Sequence, residues 1–88
     1  MWNYDEGYVV AKDEANLMIL VVKNHVTDLK NKSIEKIIEE ADPNAIWITT
    51  DRATYDSILI GDHVKIKDIG TVLQSYPGQT KGKVTKME

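Results

Sequence analysis

Cysteine is absent from this chain of 88 residues, which excludes disulfide bridges, thiolate metal sites and thiol nucleophiles. Phenylalanine is also absent, so tryptophan and tyrosine must supply the large aromatic side chains. No apolar run approaches the ~18 residues that a membrane-spanning helix needs. The five glycines are isolated from one another, which excludes a glycine-rich phosphate loop. We therefore predict a single domain over 1–88 with no transmembrane segment, no cofactor and no metal.

The charge is mild but unevenly distributed. The net charge is −3, with six basic and eleven acidic side chains in residues 1–61 and five basic and three acidic ones in residues 62–88. Lys81, Lys83 and Lys86 make the last third weakly basic. They lack the arginine clustering typical of nucleic-acid-binding surfaces, so we interpret them as a solvated strand face. We find no strong nucleic-acid signal and expect a monomer.

Alternating and β-branched runs predict a mainly β chain. The predicted strands are 8–11, 17–22, 45–50, 64–67, 71–75 and 83–87. Segment 17–22 is apolar at six successive positions, so both of its faces must be covered. Gly70 is expected at a turn, Pro77 and Gly78 fit a type II turn, and 58–60 is interpreted as a buried connector.

One short helix is expected at about 33–41. Ile34, Ile37, Ile38 and Ala41 fall on one helical stripe, and the position of Pro43 predicts the end of the helix. We expect this stripe to dock on the small barrel that the strands are predicted to form, for instance on segment 17–22. So short a helix is marginal by itself. The lysines at 30 and 32 are either solvated or form an anion site at the start of the helix.

Catalytic and metal-binding patterns are not found. His25 and His63 are the two histidines, and neither has a second imidazole or a carboxylate at helical ligand spacing. No Gly-x-Ser-x-Gly element presents a serine. A small hydrolase is a remaining alternative, which would require a serine or carboxylate within hydrogen-bonding reach of one histidine in a cleft.

The aromatic residues supply the one candidate ligand surface. It combines aromatic and lysine side chains, as OB-type barrels do when they hold single strands or sugars. The candidate residues are Trp47, Tyr55, Tyr76, Lys65 and Lys83. The alternative is that the aromatic rings belong to the core. For Tyr76 we favour a locking role, with the ring packed on a strand and the hydroxyl hydrogen-bonded to a loop.

Several segments together resemble a known family. They are Gly7-Tyr8-Val9-Val10, Ile19-Leu20-Val21-Val22, Ile46-Trp47-Ile48, Gly61-Asp62-x-Val64-x-Ile66 and Ser75-Tyr76-Pro77-Gly78-Gln79. The chain resembles the YobA-like domain of unknown function over nearly its whole length, most specifically in the last of these segments. The resemblance implies a small OB-fold-like barrel, commonly carried by secreted or lipid-anchored proteins of Gram-positive bacteria. It implies no reaction.

We therefore predict a small antiparallel barrel of OB type, with five to six strands and one short helix. The predicted function is a non-enzymatic binding or interaction module displayed at a bacterial cell surface. The alternative function is a binder of single-stranded nucleic acid or oligosaccharide through an aromatic and lysine face. We expect an extracellular or membrane-anchored location through a presequence that this sequence does not include, with a cytoplasmic location as the alternative.

Overall fold

The structure is a computed structural model and describes residues 1–87. Within them, six strands and two α-helices are joined by turns and two short 3₁₀ segments. The strands are β1 (Glu6–Asp13), β2 (Met18–Val22), β3 (Ala45–Thr49), β4 (His63–Lys67), β5 (Gly78–Lys81) and β6 (Lys83–Lys86). The helices are α1 (Ile34–Ala41) and α2 (Arg52–Ser57). Neither is long and apolar enough to cross a bilayer.

All six strands belong to one sheet in the order β5-β3-β2-β1-β4-β6. Four neighbouring pairs are antiparallel, whereas β3 and β5 run parallel. The prediction of a mainly β fold is confirmed, but the prediction of an all-antiparallel sheet is wrong. After β4 the chain crosses back over the sheet and places β5 beside β3. The long connection from β3 to β5, which includes α2 and β4, allows these two strands to run parallel.

The sheet is strongly curled. β5 and β6 lie at opposite ends of the strand order, yet Gly82 alone separates them in the chain. Two residues span at most ~7 Å, so the end of β5 must lie close to the start of β6. The two edges of the sheet therefore approach each other at this point. No β5–β6 ladder is present among residues 1–87, so the sheet does not close and the predicted OB-like barrel is not confirmed.

The inner face of the curled sheet holds the main core. Along β2 and β3 the residues that point inward alternate with those that point outward, as strand geometry requires. The inner cluster contains Trp2, Val9, Ile19, Val21, Ile46, Ile48, Tyr55, Ile58, Val64, Ile66 and Val84. Isoleucine and valine at these positions give both a high strand propensity and the apolar burial that stabilises a small domain.

Helix α1 covers the outer face of the sheet. Ile37 is buried against Leu20, Val22 and Ala45. Ile19 and Val21 face inward, so the expected burial of this segment on both faces is confirmed. The helix begins after Ser33, whose hydroxyl oxygen accepts a hydrogen bond from the Lys36 N–H at 3.1 Å.

Four local predictions are wrong. Segment 71–75 forms only an isolated bridge, between Leu73 and Gln79, and the predicted type II turn at 77–78 instead leads into β5. Gly70 does not lie in the predicted turn, and its N–H instead donates to the Lys81 carbonyl at 3.0 Å. The glycine with positive φ is Gly61. In the expected buried connector only Ile58 is buried, whereas Leu59 and Ile60 are 61% and 54% exposed. The conformation of these segments depends on contacts between residues that are distant in the sequence. Local sequence patterns do not predict such contacts.

Candidate functional site

An open cavity of about 1040 Å³ lies on the outer side of the sheet. Its walls come from the middle of β1, the segment 25–32, the first half of α1 and the turn at 60–61. Apolar side chains form its floor and sides: Val10, Ala11, Val26, Leu29, Ile34, Ile37 and Ile60. We call this cavity the α1 groove. Its volume is slightly above the ~300–1,000 Å³ range of small-ligand sites.

The floor of the groove is built at an irregularity in β1. The register between β1 and β2 shifts between Val9 and Ala11, so Val10 is an extra residue on the β1 side. Such bulges bend a strand and redirect side chains. Val10 and Ala11 both join the outer cluster together with Ile37 of α1. The bulge therefore supplies two small apolar side chains to the bottom of the groove.

The far wall is held against β1 by backbone hydrogen bonds. The Gly61 N–H donates to the Val9 carbonyl at 2.7 Å, and the Val9 N–H donates to the Asp62 carbonyl at 2.9 Å. The Asp62 carboxylate also accepts from the Leu59 N–H at 2.9 Å. Gly61 has φ +99°, a conformation that a side chain would strain. The turn therefore presents Ile60 at a fixed position on the rim.

Two isoleucines of the groove remain open to water. Ile34 is 46% exposed on the α1 side and Ile60 is 54% exposed on the opposite side. The remaining apolar lining residues are buried or half-buried. A water-exposed isoleucine loses the stabilisation that its burial would give, which is of order 1–2 kcal/mol. The pair therefore marks an apolar surface that the fold itself does not cover.

The polar lining of the groove is mainly basic. Lys12, Lys30, Lys32 and His25 line it, whereas Asp28 is its single acidic residue among those the structure describes. This contrasts with the net charge of −3 of the whole chain. The groove therefore combines aliphatic walls with a cationic rim.

The two histidines both contact one tyrosine, Tyr8, and His25 also lines the groove. The Tyr8 ring stacks on His63 with 4.4 Å between centroids and meets His25 edge-on at 5.3 Å. The Glu6 carboxylate lies 4.0 Å from His63 Nε2, beyond hydrogen-bonding distance. Sequence spacing did not predict this grouping, because it depends on the pairing of β1 with β4. No hydrogen bond in residues 1–87 joins either imidazole to a serine or a carboxylate.

A metal centre is not indicated by the described residues. No group of three or more histidine, cysteine, aspartate or glutamate side chains lies close enough together within residues 1–87 to hold an ion. The acidic side chains at 13 and 51 accept local hydrogen bonds. Asn16 donates to the Asp13 carboxylate at 2.8 Å, and the Thr54 N–H donates to the Asp51 carboxylate at 2.7 Å.

The structure places the three aromatic candidates in different surroundings. Tyr55 is 7% exposed and belongs to the inner core. Trp47 is half-buried in the outer cluster with α1. Tyr76 is 39% exposed, and its hydroxyl donates a hydrogen bond to the Ile38 carbonyl of α1 at 2.5 Å. The expected locking bond of Tyr76 is present, although its acceptor lies on a helix and not on a loop.

The two lysine candidates lie elsewhere on the sheet. Lys65 of β4 and Lys83 of β6 are exposed diagonal neighbours, because Lys65 pairs with Thr85 and Lys67 pairs with Lys83. β1 and β2 separate them from Trp47 of β3 in the strand order. Lys83 also lies 3.7 Å from the Asp68 carboxylate. The five candidates thus form no single exposed surface, and their contact with a ligand stays a prediction.

Burial changes the acidity of two of these tyrosines. Burial raises the pKa of the Tyr55 phenol above its usual value, and the nearby carboxylates of Glu14 and Asp13 raise this pKa further. Burial also raises the pKa of the Tyr76 phenol, with a second contribution from the Asp42 carboxylate. Both phenols therefore remain neutral hydrogen-bond donors at physiological pH.

The sequence patterns did not reveal the α1 groove. Its walls come from four separate segments, and the sequence pattern places its most exposed isoleucine, Ile60, in a buried connector. One signal was available, since the short run Ile58-Leu59-Ile60 stands between a polar helix and a glycine turn. Three apolar residues in succession cannot all face one core in an extended segment.

The comparisons with known proteins agree with the family resemblance. The family described as "Protein of unknown function (DUF3221)" matches residues 6–87. No curated protein matches the chain.

Two solved structures from Bacillus subtilis share the fold. A crystal structure of a yobA protein from strain 168 is 20% identical, with a TM-score of 0.77 over 93% of this chain and 90% of that one. A solution structure of YobA 21–120 is 21% identical, with a TM-score of 0.73 over 93% of this chain and 78% of that one. At such identities the similarity shows the fold alone.

Proposed function

The chain belongs to the DUF3221 family, whose function is unknown, and on this premise we propose that it is a non-enzymatic binding module that holds a small ligand in the α1 groove. One observation carries the proposal. The groove is concave, open and aliphatic, and it leaves Ile34 and Ile60 exposed on its two sides. An uncovered apolar surface with a polar rim is typical of a binding site.

The walls of the groove support a binding role because rigid elements position them. Ile37 is fixed in the outer cluster, and Ile60 is fixed by hydrogen bonds between its turn and β1. A preformed site loses little conformational entropy when a ligand binds. The groove is therefore suited to bind a ligand without rearrangement of the sheet.

A small ligand fits this surface better than a protein partner does. A stable protein interface buries ~800 Å² on each partner. The exposed apolar surface of the groove comes mainly from two half-exposed isoleucines, which together supply only a fraction of that area. The volume of about 1040 Å³ is instead suited to a single small molecule.

The surroundings of the histidines support a role other than catalysis. A general base must reach the proton that it removes and is normally oriented by a further polar group. The His63 ring is stacked on Tyr8, and His25 contacts the edge of the same ring. These aromatic contacts favour a structural role for both imidazoles.

Display at the bacterial cell surface is part of the proposal. The family resemblance supports it, since YobA-like domains are commonly carried by secreted or lipid-anchored proteins. Fractionation of cells that express the natural precursor tests it. We expect the protein in the medium or the membrane fraction, and recovery in the cytoplasm alone would contradict this part.

Binding of a neutral apolar dye, Nile red, tests the binding role. The fluorescence of the dye should rise in a saturable manner with the wild-type protein. The double variant Ile34→Ser/Ile60→Ser should bind the dye about tenfold more weakly, because two aliphatic contacts are lost. The matched control is Leu59→Ser/Leu73→Ser, which replaces two exposed leucines that do not line the groove.

The control variant should bind the dye as the wild type does. Equal weakening in both double variants would place the dye on general apolar surface and would contradict the proposal. Absence of saturable binding to the wild type would contradict it as well. Unfolding curves of all three proteins establish that each variant is folded.

A further inference from the structure

The charges around the α1 groove restrict the chemistry of its ligand. Three of its lining side chains are lysines, and one is acidic. The single acid, Asp28, already accepts a hydrogen bond from the Asn31 side-chain amide. A cationic ligand would therefore meet several like charges and one occupied carboxylate. The rim is complementary to an anion.

Most of the cations on the rim already have partners. The Lys12 ammonium group donates to the carbonyl oxygens of Tyr55 at 2.6 Å and Ile58 at 2.7 Å. The Lys32 ammonium group lies 2.9 Å from the Glu40 carboxylate. Lys30 is exposed and has no ion-pair partner in the part of the chain that the structure describes. Lys30 is thus the groove lysine whose charge remains available.

The walls of the groove indicate the shape of the rest of the ligand. The apolar lining consists of valine, alanine, leucine and isoleucine, and no tryptophan or tyrosine lines it among residues 1–87. Planar ligands are usually held by stacking on aromatic rings, and the one aromatic ring that lines the groove within residues 1–87, the His25 imidazole, already contacts the Tyr8 ring. Aliphatic walls instead pack well against a hydrocarbon chain, which gains stabilisation with each methylene group that leaves water.

We propose that the α1 groove binds a free single-chain aliphatic carboxylate, with its hydrocarbon chain between Ile34 and Ile60 and its carboxylate paired with Lys30. The inference rests on the proposed function, which it deepens by naming the class of ligand. Charge complementarity at Lys30 selects the anion, and the aliphatic walls select the chain. A second copy of this protein is a poorer occupant, because its lining would repeat the same cationic rim.

Displacement of Nile red by ten-carbon amphiphiles tests the class of ligand. Decanoate, 1-decanol and decyltrimethylammonium share one chain and differ in the head group. We expect decanoate to displace the dye at the lowest concentration, followed by the neutral alcohol and then the cation. Lys30→Gln should weaken decanoate binding about fivefold, as expected when a partly exposed ion pair is lost.

Lys36→Gln is the matched control. Lys36 is also exposed and lies on α1, but it pairs with Glu39 at 3.9 Å and does not line the groove. Lys36→Gln should leave the binding of both decanoate and Nile red unchanged, and decanoate displacement for each variant is compared with the dye affinity measured for that same variant. Equal effects of the two lysine variants on decanoate would overturn the assignment of Lys30.

The outcomes separate this inference from the proposed function. If Nile red binds in the groove but the three amphiphiles displace it equally, or the cation displaces it best, the carboxylate class is overturned and the binding role stands. If Nile red itself fails to bind in the groove, the proposed function fails. If the protein sediments with anionic phosphatidylglycerol vesicles but does not bind free decanoate, the proposal of a free carboxylate ligand is overturned. Such a result would indicate that the groove binds a membrane surface.

Discussion

The Nζ atom of Lys12 lies 2.6 Å from the carbonyl oxygen of Tyr55 and 4.0 Å from the centroid of the Tyr55 ring. The same ammonium group donates to the Ile58 carbonyl at 2.7 Å. One side chain of β1 thus binds two carbonyl oxygens at the end of α2, where the helix leaves such groups without partners. It also places a cation where the negative end of the helix dipole favours one.

Replacement of Lys12 should therefore destabilise the whole fold. Lys12→Met keeps much of the aliphatic chain and removes the donors, and we expect the free energy of unfolding to fall by about 2 kcal/mol. Urea denaturation followed by circular dichroism measures the change. Lys36→Met removes an exposed lysine and should change stability by under about 0.5 kcal/mol. An equally small loss in Lys12→Met would show that the two hydrogen bonds contribute little.

Gly7 is expected to tolerate no side chain. A Cβ at this position would lie 2.7 Å from Val21 Cγ1 and 3.2 Å from a ring carbon of Trp2. Gly7→Ala should therefore lower the free energy of unfolding by about 1–3 kcal/mol through overpacking. Gly70→Ala is the matched control, because a Cβ there meets no atom within 4 Å. Thermal unfolding of both variants tests this, and equal melting temperatures would contradict the close packing at Gly7.

The hydrogen bond from the Tyr76 hydroxyl to the Ile38 carbonyl should hold α1 to the segment before β5. Tyr76→Phe removes this bond, and we expect a loss of about 1 kcal/mol. Tyr4→Phe also removes one hydroxyl, from a tyrosine whose hydroxyl makes no hydrogen bond within residues 1–87. Hydrogen exchange of the α1 amides should accelerate in Tyr76→Phe alone. Unchanged exchange there would refute the locking role.

The N-cap of α2 should make stability depend on pH in the acidic range. The Thr54 N–H donates to the Asp51 carboxylate at 2.7 Å, and this bond holds the pKa of Asp51 below its usual value. The contribution is present above the unfolded pKa of ~3.9 and is lost as pH falls through the lower folded pKa. Asp51→Asn can still accept the bond but cannot titrate at this position.

Urea unfolding of wild type and Asp51→Asn between pH 7 and pH 2.5 tests this expectation. The advantage of the wild type should be constant near neutral pH and should shrink as pH falls below about 4. A stability difference that stays the same across the whole range would show that the Asp51 carboxylate does not act through its charge.

The strand and helix patterns predicted the structure correctly where the local spacing of apolar residues decides which face of an element is buried. Six apolar residues in succession required cover on both sides of β2, and the structure buries Ile19 and Leu20 on opposite faces. The isoleucine stripe likewise predicted α1 and the packing of Ile37 and Ile38 on the sheet, whereas Ile34 of the same stripe remains 46% exposed. The alternation in β4 predicted a strand with Val64 and Ile66 inside.

The same reasoning failed where the backbone follows distant contacts. Residues 71–75 are rich in strand-forming side chains, yet β3 accepts β5 as its parallel neighbour and leaves this segment outside the sheet. The polar segment at Arg52–Ser57 forms a helix because Asp51 caps its start and Lys12 binds its end. Asp51 is a local N-cap signal, but Lys12 is not visible as a local pattern, because it lies 43 residues away from Tyr55 in the chain.

The sequence by itself determined that this protein is mainly β, that β2 is covered on both faces and that one amphipathic helix packs on the sheet. These properties follow from side-chain periodicity, which is set by the geometry of each strand or helix alone. Only the tertiary structure decided the parallel pairing of β3 with β5 and the open curl of the sheet. It alone brought Ile34, Ile60 and Lys30 to one groove, because long-range pairing sets how separate segments meet.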